Sequence, residues 1–313
     1  MTRELARQEL RRAAAGRPCA VTIGKFDGVH RGHQYLVSLL LERARERGLA
    51  SVVITLHPHP ITVLRPGTPV TYLCSLEERV RLLQSCGASS VGVLSFTSEL
   101  AQLSYRDFMA LLVDELDLRQ LLIGPDFAVG RDRQGNAEAL QALGGERGFD
   151  VEVVTLLAEE GAKVGSGAVR DALAAGEMEA VNELLGRAFA LRGPVVRGEE
   201  RGAKIGFPTA NIAVAPDLAL PAFGVYVTRA YLGETAYDSV TNIGQRPTFG
   251  AGRPTIEVHL LDFEGDIYER ELRVEVLHRL RDETRFDGVD ALVAQIGRDV
   301  TATRDYFREH GGG

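Results

Sequence analysis

Branched apolar residues gather first in short runs with little polar alternation, at 20–24 (AVTIG), 51–56 (SVVITL), 91–96 (VGVLSF), 121–124 (LLIG) and 151–157 (VEVVTLL). Runs of that length and composition predict strands buried on both faces, the habit of a parallel sheet. Between them apolar residues recur at helical spacing: over 35–47, closed by Gly48; after Ser75, which stands at capping-box distance from Glu78; and over 105–116. Alternating strand and helix predict an α/β domain. Past two short helices near 168–186 the period changes to two, in FALRGPVV (189–196), GVYVTRAYL (224–232), YDSVTNIG (237–244), TIEVHLLDF (255–263) and ELRVEVLHRL (271–280). Glycine, proline and acidic turns separate these runs, so the second half should be an antiparallel β-barrel. Over 289–309, Leu292, Val293, Ile296, Val300 and Phe307 fall to one side of a terminal amphipathic helix suited to packing on that barrel. The expected domains are 1–185 and 186–313, in keeping with a length of 313 residues and a prior of roughly 150 residues per domain.

Composition excludes several classes of function. No apolar run approaches the ~18 residues of a membrane span, and the amino terminus, with Glu4 and Glu9 and no apolar core, fits no secretory signal. A cytoplasmic protein without a membrane partner is expected. Cys19, Cys74 and Cys86 show no CxxC spacing, so they read as reduced and buried. A formal charge of −7 provides no general field for nucleic acid, so an anionic ligand must be held by local positive groups in a pocket.

Two segments carry chemistry. In GKFDGVHRGH (24–33), Gly24 ends a strand, Gly28 and Gly32 let the backbone approach a ligand, and His33 stands at a helix start. Unpaired amides and the helix dipole favour an anion there. His30 and His33 would add hydrogen bonds to the α-phosphate and leaving pyrophosphate of a nucleotide. The bland alternative is that one histidine caps and the other packs. Zinc held by His30, His33, His57 and His59 is set aside, because neither cysteine nor an HExxH arrangement supports it.

The second segment, RGAKIGFPTAN (201–211), lacks the GxxxxGK[ST] pattern of a P-loop. Gly198, Gly202 and Gly206 would form a flap whose amides meet phosphates. Thr209 and Asn211, on one face of an extended segment, offer neutral oxygens suited to Mg2+ bound together with nucleotide phosphates. In TIEVHLLDF, Glu257 and His259 alternate with apolar residues and face away from the barrel core.

GKFDGVHRGH resembles the HxGH motif of the nucleotidyltransferase module of bacterial bifunctional riboflavin kinase/FAD synthetases. PHP (58–60), GPDFAVG (124–130) and Ser166 with Arg170 in KVGSGAVR resemble further segments of that module, in the same order and spacing. PTAN, NIGQRPTF (242–249) and EVHLLDF (257–263) resemble the riboflavin kinase module of the same family. The likeness runs from about 18 to 308. It implies a Rossmann-like nucleotidyltransferase domain followed by a riboflavin kinase barrel, acting on riboflavin, FMN, FAD and ATP with Mg2+. It further implies that His30 and His33 contact ATP phosphates in a loop including Gly24, Phe26, Asp27 and Gly32. Asp126 would line the nucleotide site, and Ser166 and Arg170 would bind the triphosphate from a helix start. In the second module Glu257 would be the general base for the ribityl hydroxyl, with Gly202 and Gly206 at phosphate and Thr209 and Asn211 at the metal. Arg246 and Arg281 either reach substrate or make structural ion pairs.

The sequence departs from the family where Gly165, Ser166 and Gly167 replace an SST-like run and where His57 replaces an aspartate before PHP. These departures motivate two rivals to the bifunctional reading: a riboflavin kinase with a diverged nucleotidyltransferase, and a flavin- or nucleotide-binding regulator without turnover.

Overall fold

Apolar runs without polar alternation become strands covered on both sides because each strand's odd and even residues need separate cover. In the computed structural model, which describes residues 2–155, 158–159, 162–198, 201–245 and 254–310, the chain forms two compact units, Met1–Ser166 and Gly167–Gly313.

The first unit contains β1 (Cys19–Gly24), β2 (Ala50–His57), β3 (Ser90–Ser95), β4 (Leu118–Ile123) and β5 (Asp150–Val153). All pair in parallel, in the order β3-β2-β1-β4-β5. Seven helices accompany them: α1 (Thr2–Ala13), α2 (Arg31–Glu46), α3 (Pro60–Leu64), α4 (Leu76–Ser85), α5 (Ser98–Ala101), α6 (Tyr105–Leu116) and α7 (Ala137–Arg147). On one face, Val21, Ile23, Val52, Ile54, Leu121 and Ile123 pack with Leu10 of α1, Leu112 of α6 and Leu140 of α7. On the other, Ala20, Val53 and Leu122 pack with Val37 and Leu40 of α2 and Leu83 of α4. The strand order reverses between β1 and β4, and the carboxyl ends flanking such a switch point are where open α/β sheets bind ligands. The loops after Gly24 and Ile123 leave from those two ends. A short ribbon, β6 (Ala158–Glu159) with β7 (Ala162–Lys163), closes the unit.

The second unit begins with α8 (Ser166–Ala175) and α9 (Met178–Leu185), followed by β8 (Phe189–Val196), α10 (Arg201–Lys204), β9 (Ala210–Ile212), β10 (Gly224–Leu232), β11 (Thr235–Gly244), β12 (Thr255–Leu260), β13 (Glu271–Arg281) and α11 (Val289–His310). The strands close into an antiparallel barrel in the order β10-β11-β12-β9-β8-β13. Asn182 of α9 bridges two strands, donating from Nδ2 to Val276 O and accepting at Oδ1 from Phe189 N. These contacts tie α9 to the barrel, and the two compact units divide after Ser166, the first residue of α8. Thr228, Ser239 and Thr241, all at 0 % exposure, satisfy one another by hydroxyl hydrogen bonds.

Several local expectations are refined. Neither α1 nor α7 was expected: α7 lacks helical periodicity, although Asn136 caps it by accepting from Ala139 N, whereas α1 does carry it, burying Ala6, Leu10 and Ala13 at helical spacing. The run 151–157 supplies only Asp150–Val153 as strand, and 156–157 lie outside the described residues. Cys86 is half-buried, whereas Cys19 and Cys74 are buried. On α11 the most deeply buried residues are Asp299 and Thr303, while the expected apolar face is only half-buried. The reason is Arg281, which grips Asp299 with Nε to Oδ1 at 3.0 Å and Nη2 to Oδ2 at 2.7 Å. That pair settles Arg281 as structural. Arg246 lies outside the described residues.

α1 meets the sheet at Gly92, where an added Cβ would stand 2.5 Å from Ala13 Cβ and 2.8 Å from Ile54 Cδ1. Gly92→Val should therefore overpack this face and destabilise the first unit by about 1–3 kcal/mol, read as a lower urea midpoint for its transition in the full-length chain.

Candidate functional site

The HxGH segment is a strained turn. β1 ends at Gly24, and Phe26 (φ 48°), Gly28 (φ 75°) and Val29 (φ 41°) follow in the left-handed region. A β-branched residue there costs on the order of 1–3 kcal/mol, so the surroundings must enforce the conformation. Val29 N closes the turn on Phe26 O at 3.1 Å. The Phe26 side chain is 1 % exposed and anchors the turn in the α2 core. Asp27 also points inward, where Oδ1 accepts from Leu73 N at 2.9 Å and lies 3.6 Å from Arg79 Nη2. Phe26 and Asp27, expected in the nucleotide loop, thus shape it from beneath.

His30 is the N-cap residue of α2, and His33 N donates to His30 O at 2.8 Å. The two imidazoles stack with centroids 3.7 Å apart, and the edge of Phe26 meets His33 at 5.1 Å. A Cβ at Gly32 would lie 3.2 Å from two atoms of the His30 ring and 3.1 Å from Val164 O, so glycine leaves the pair its space. His33 is held well below the ordinary imidazole value, first by burial and then by the charges of His30, Lys25 and Arg79. Among the described residues, its Nδ1 is buried without a hydrogen-bond partner. A neutral imidazole with an unsatisfied nitrogen, at the start of a 16-residue helix, can meet a phosphate oxygen.

The neighbouring segments take up defined positions. His59 caps α3, accepting from Ile61 N at Nδ1, and its own amide donates to Tyr72 OH at 2.8 Å. The His57 ring lies 5.9 Å from that of Tyr72. Asp126 is exposed on the loop after β4, where its carbonyl accepts from Arg133 Nη2 at 2.8 Å. Ser166 opens α8, and Arg170 stands one turn later on the same helix. A Cβ at Gly165 or Gly167 would meet nothing within 4 Å, so packing does not require glycine at either departure from the family's run.

On the barrel, β12 alternates buried and half-buried residues, which turns Glu257 and His259 away from the core. Glu257 pairs across the ladder with Asn242 of β11 and with Asn211 of β9, so three polar side chains share one row. A Cβ at Gly198 would fall 2.3 Å from Asn211 Nδ2, and one at Gly202 would fall 3.2 Å from Thr209 Oγ1. The glycine-bearing segment therefore lies directly against Thr209 and Asn211. Gly206 takes φ 90°, and Phe207 N turns back to Gly202 O at 2.9 Å. His259 Nδ1 lies 2.8 Å from Pro208 O, fixing PTAN beside β12. Among the described residues no cluster of three or more His, Cys, Asp or Glu could hold a metal. Thr209 Oγ1 and Asn211 Oδ1 are neutral oxygens beside the glycine-bearing segment, the donor chemistry of a cation that takes few protein ligands.

Residues 12–168 match the family model described as FAD synthetase, and residues 185–307 match riboflavin kinase. The chain belongs to the bifunctional riboflavin kinase/FMN adenylyltransferase family. It is 40% identical to the enzyme of that name from Escherichia coli K12 over 291 residues, 92% of this chain and 93% of the relative. It is 35% identical to the Bacillus subtilis enzyme over 292 residues, 92% of each. A solved structure from Streptococcus pneumoniae, described as a macrolide-efflux protein, is 32% identical with a TM-score of 0.87, over 95% of this chain and 97% of its own. That likeness concerns the fold. Among the described residues no helix is long and apolar enough to cross a membrane.

Sequence reasoning missed Arg79, and quoted Asn242 only within the runs YDSVTNIG and NIGQRPTF, without its place beside Glu257. Arg79 stands three residues after Leu76 and four before Leu83, on the apolar stripe of α4. A charge on such a stripe is a readable signal. The pairing of Asn242 with Glu257 becomes visible only through the β11–β12 register. In this family setting, Gly32→Ala should displace the His30 ring and lower FMN adenylylation by on the order of tenfold or more. Riboflavin phosphorylation by the same preparation should be unchanged.

Proposed function

We propose that this chain phosphorylates riboflavin to FMN in its barrel module and adenylylates FMN to FAD in its sheet module, each step consuming ATP. What supports this above all is that the stacked histidines and the Glu257 row stand in separate folded units, each matching its own family. The working division is 1–185 for adenylyl transfer and 186–313 for the kinase, with α8 serving the first reaction through Ser166 and Arg170.

In the kinase module the acceptor is an alcohol, so a base must take its proton as oxygen attacks the γ-phosphorus. Glu257 is assigned that role, being half-buried on the outward face of β12. Thr209 and Asn211 would hold Mg2+, and the amides around Gly202 and Gly206 would meet phosphate. Bound there, Mg2+ supplies charge neutralisation on the phosphates.

In the adenylylation module the acceptor is the phosphate of FMN, already ionised, and attack at the α-phosphorus releases pyrophosphate. Catalysis then amounts to alignment and charge stabilisation. His30 and His33 would meet the α-phosphate and pyrophosphate oxygens, Asp126 the nucleotide, and Ser166 and Arg170 the triphosphate, the latter with a fixed two-pronged donor. With ATP as substrate of both steps, the cytoplasm is the compartment we assign.

Incubation with riboflavin, Mg2+ and ATP, and separately with FMN in place of riboflavin, followed by chromatography of the flavins, tests the reading. FAD from both mixtures is expected. FMN alone would establish a diverged sheet module, and no conversion a binding protein. Glu257→Gln should abolish FMN formation while leaving adenylylation of supplied FMN, and His30→Ala should do the reverse. Loss of both activities in either folded variant would refute the division of labour.

A further inference from the structure

Arg79 is one of the largest fully buried side chains among the described residues, at 1 % exposure. Burial of a guanidinium is unfavourable unless it is well paired, and an apolar residue would complete the α4 stripe without that penalty. The pairing it does make is loose. Asp27 Oδ1 lies 3.6 Å from Nη2, beyond the ~2.7–2.9 Å of a charge-assisted hydrogen bond. Nη1 donates to Leu56 O at 3.4 Å, and the guanidinium lies 5.5 Å from the Tyr72 ring centroid. Among the described residues, Nε and Nη2 have no hydrogen-bond acceptor. Stability alone does not account for this arginine.

Its position does. α4 is fixed at its start, where Ser75 Oγ accepts from Glu78 N at 3.1 Å and Arg79 N donates to Ser75 O at 2.9 Å. From there the side chain reaches the turn after β1 through Asp27 and the end of β2 through Leu56. It also lies on Tyr72, whose hydroxyl holds the His59 amide. Three segments that resemble or flank nucleotide-contacting motifs converge on one cation.

We propose that Arg79 is a positioning residue for adenylyl transfer: by tying the turn that carries His30 and His33 to the segments after β2, it fixes where those imidazoles meet the nucleotide. This rests on the adenylylation assigned to the unit above. The same cation, together with Lys25 on the turn and His30 beside it, disfavours a proton on His33. Asp27, whose Oδ1 lies 3.6 Å from the guanidinium, and His57, at the end of the neighbouring strand β2, are the other titratable groups around it. Burial, His30 and Lys25 outweigh Arg79 in lowering the His33 pKa, so removing the charge of Arg79 raises that pKa only in part, and an activity that needs neutral imidazole fails at a somewhat higher pH.

The test compares full-length wild type, Arg79→Met and Arg79→Lys in FMN adenylylation across pH, with riboflavin phosphorylation and urea unfolding measured on the same samples. In Arg79→Met, kcat for adenylylation should fall on the order of tenfold to a hundredfold, with KM for FMN within about twofold. The acid limb of kcat/KM should move to higher pH, and kinase activity should be unchanged. Arg79→Lys, which keeps the charge but cannot span Asp27 and Leu56, should lose part of kcat while retaining the wild-type acid limb. Wild-type kcat with an unmoved acid limb in Arg79→Met would overturn the proposal, as would a raised KM at unchanged kcat. If Arg79→Met does not fold, Arg79→Lys decides: lowered kcat with the wild-type acid limb supports the role, and wild-type kcat ends it. No FAD from wild type would overturn the adenylylation reading itself, and with it this role.

Discussion

The left-handed turn between β1 and α2 is the constraint on which the nucleotide site depends. Three residues in four, Phe26, Gly28 and Val29, adopt positive φ, and two of them carry side chains that resist it. Such a turn survives because its side chains are claimed from below: Phe26 by the α2 core, Asp27 by the Leu73 amide and Arg79. The consequence is that the two histidines that follow, His30 and His33, have no freedom to follow their own preferences. They stack against each other at a helix start, one with a buried nitrogen left for a ligand. Preorganisation of this kind moves the conformational cost from the moment of reaction to the moment of folding.

The barrel solves the same problem with registry instead of strain. Antiparallel pairing places Asn211, Glu257 and Asn242 in one row whatever their side chains prefer, because the period of the pleat is two. A slip of one residue on β12 would turn Glu257 into the core and bring Val258 out. The buried neighbours Ile256, Val258 and Leu260 forbid that slip, so the apolar half of the strand specifies the position of its polar half.

This difference explains what could be read from the sequence. Period-two alternation in 255–263 revealed both the strand and the outward face of Glu257, and the branched runs of the first half revealed the parallel strands. Gly24, His30, Gly32 and His33 were legible as a motif because their chemistry and spacing are local. Their orientation was not, since it depends on Asp27 reaching Leu73 and Arg79 across 46 residues of sequence in the first case. The inward turn of Phe26 and Asp27 was invisible for that reason. So was the polar anchoring of α11, where Arg281 and Asp299 replace an apolar contact that the helical period alone would favour.

The two sites also differ in the protonation they need, and the residues follow that need. An alcohol attacking the γ-phosphorus must shed a proton, so in the proposed reading a carboxylate at the edge of solvent, able to accept it and return it to water, is assigned to the kinase row. A phosphate attacking the α-phosphorus brings no proton to remove, and a carboxylate exposed beside it would repel both reactants. There the only acidic group on the turn, Asp27, points inward beside Arg79, while burial and the neighbouring charges of His30, Lys25 and Arg79 hold the His33 imidazole well below its ordinary pKa. Neutral donors can follow charge as it spreads from the α-phosphorus to the leaving pyrophosphate without clamping either state. The inward aspartate and the neutral His33 are therefore one arrangement in the proposed reading: the turn keeps its negative charge away from the side assigned to phosphate.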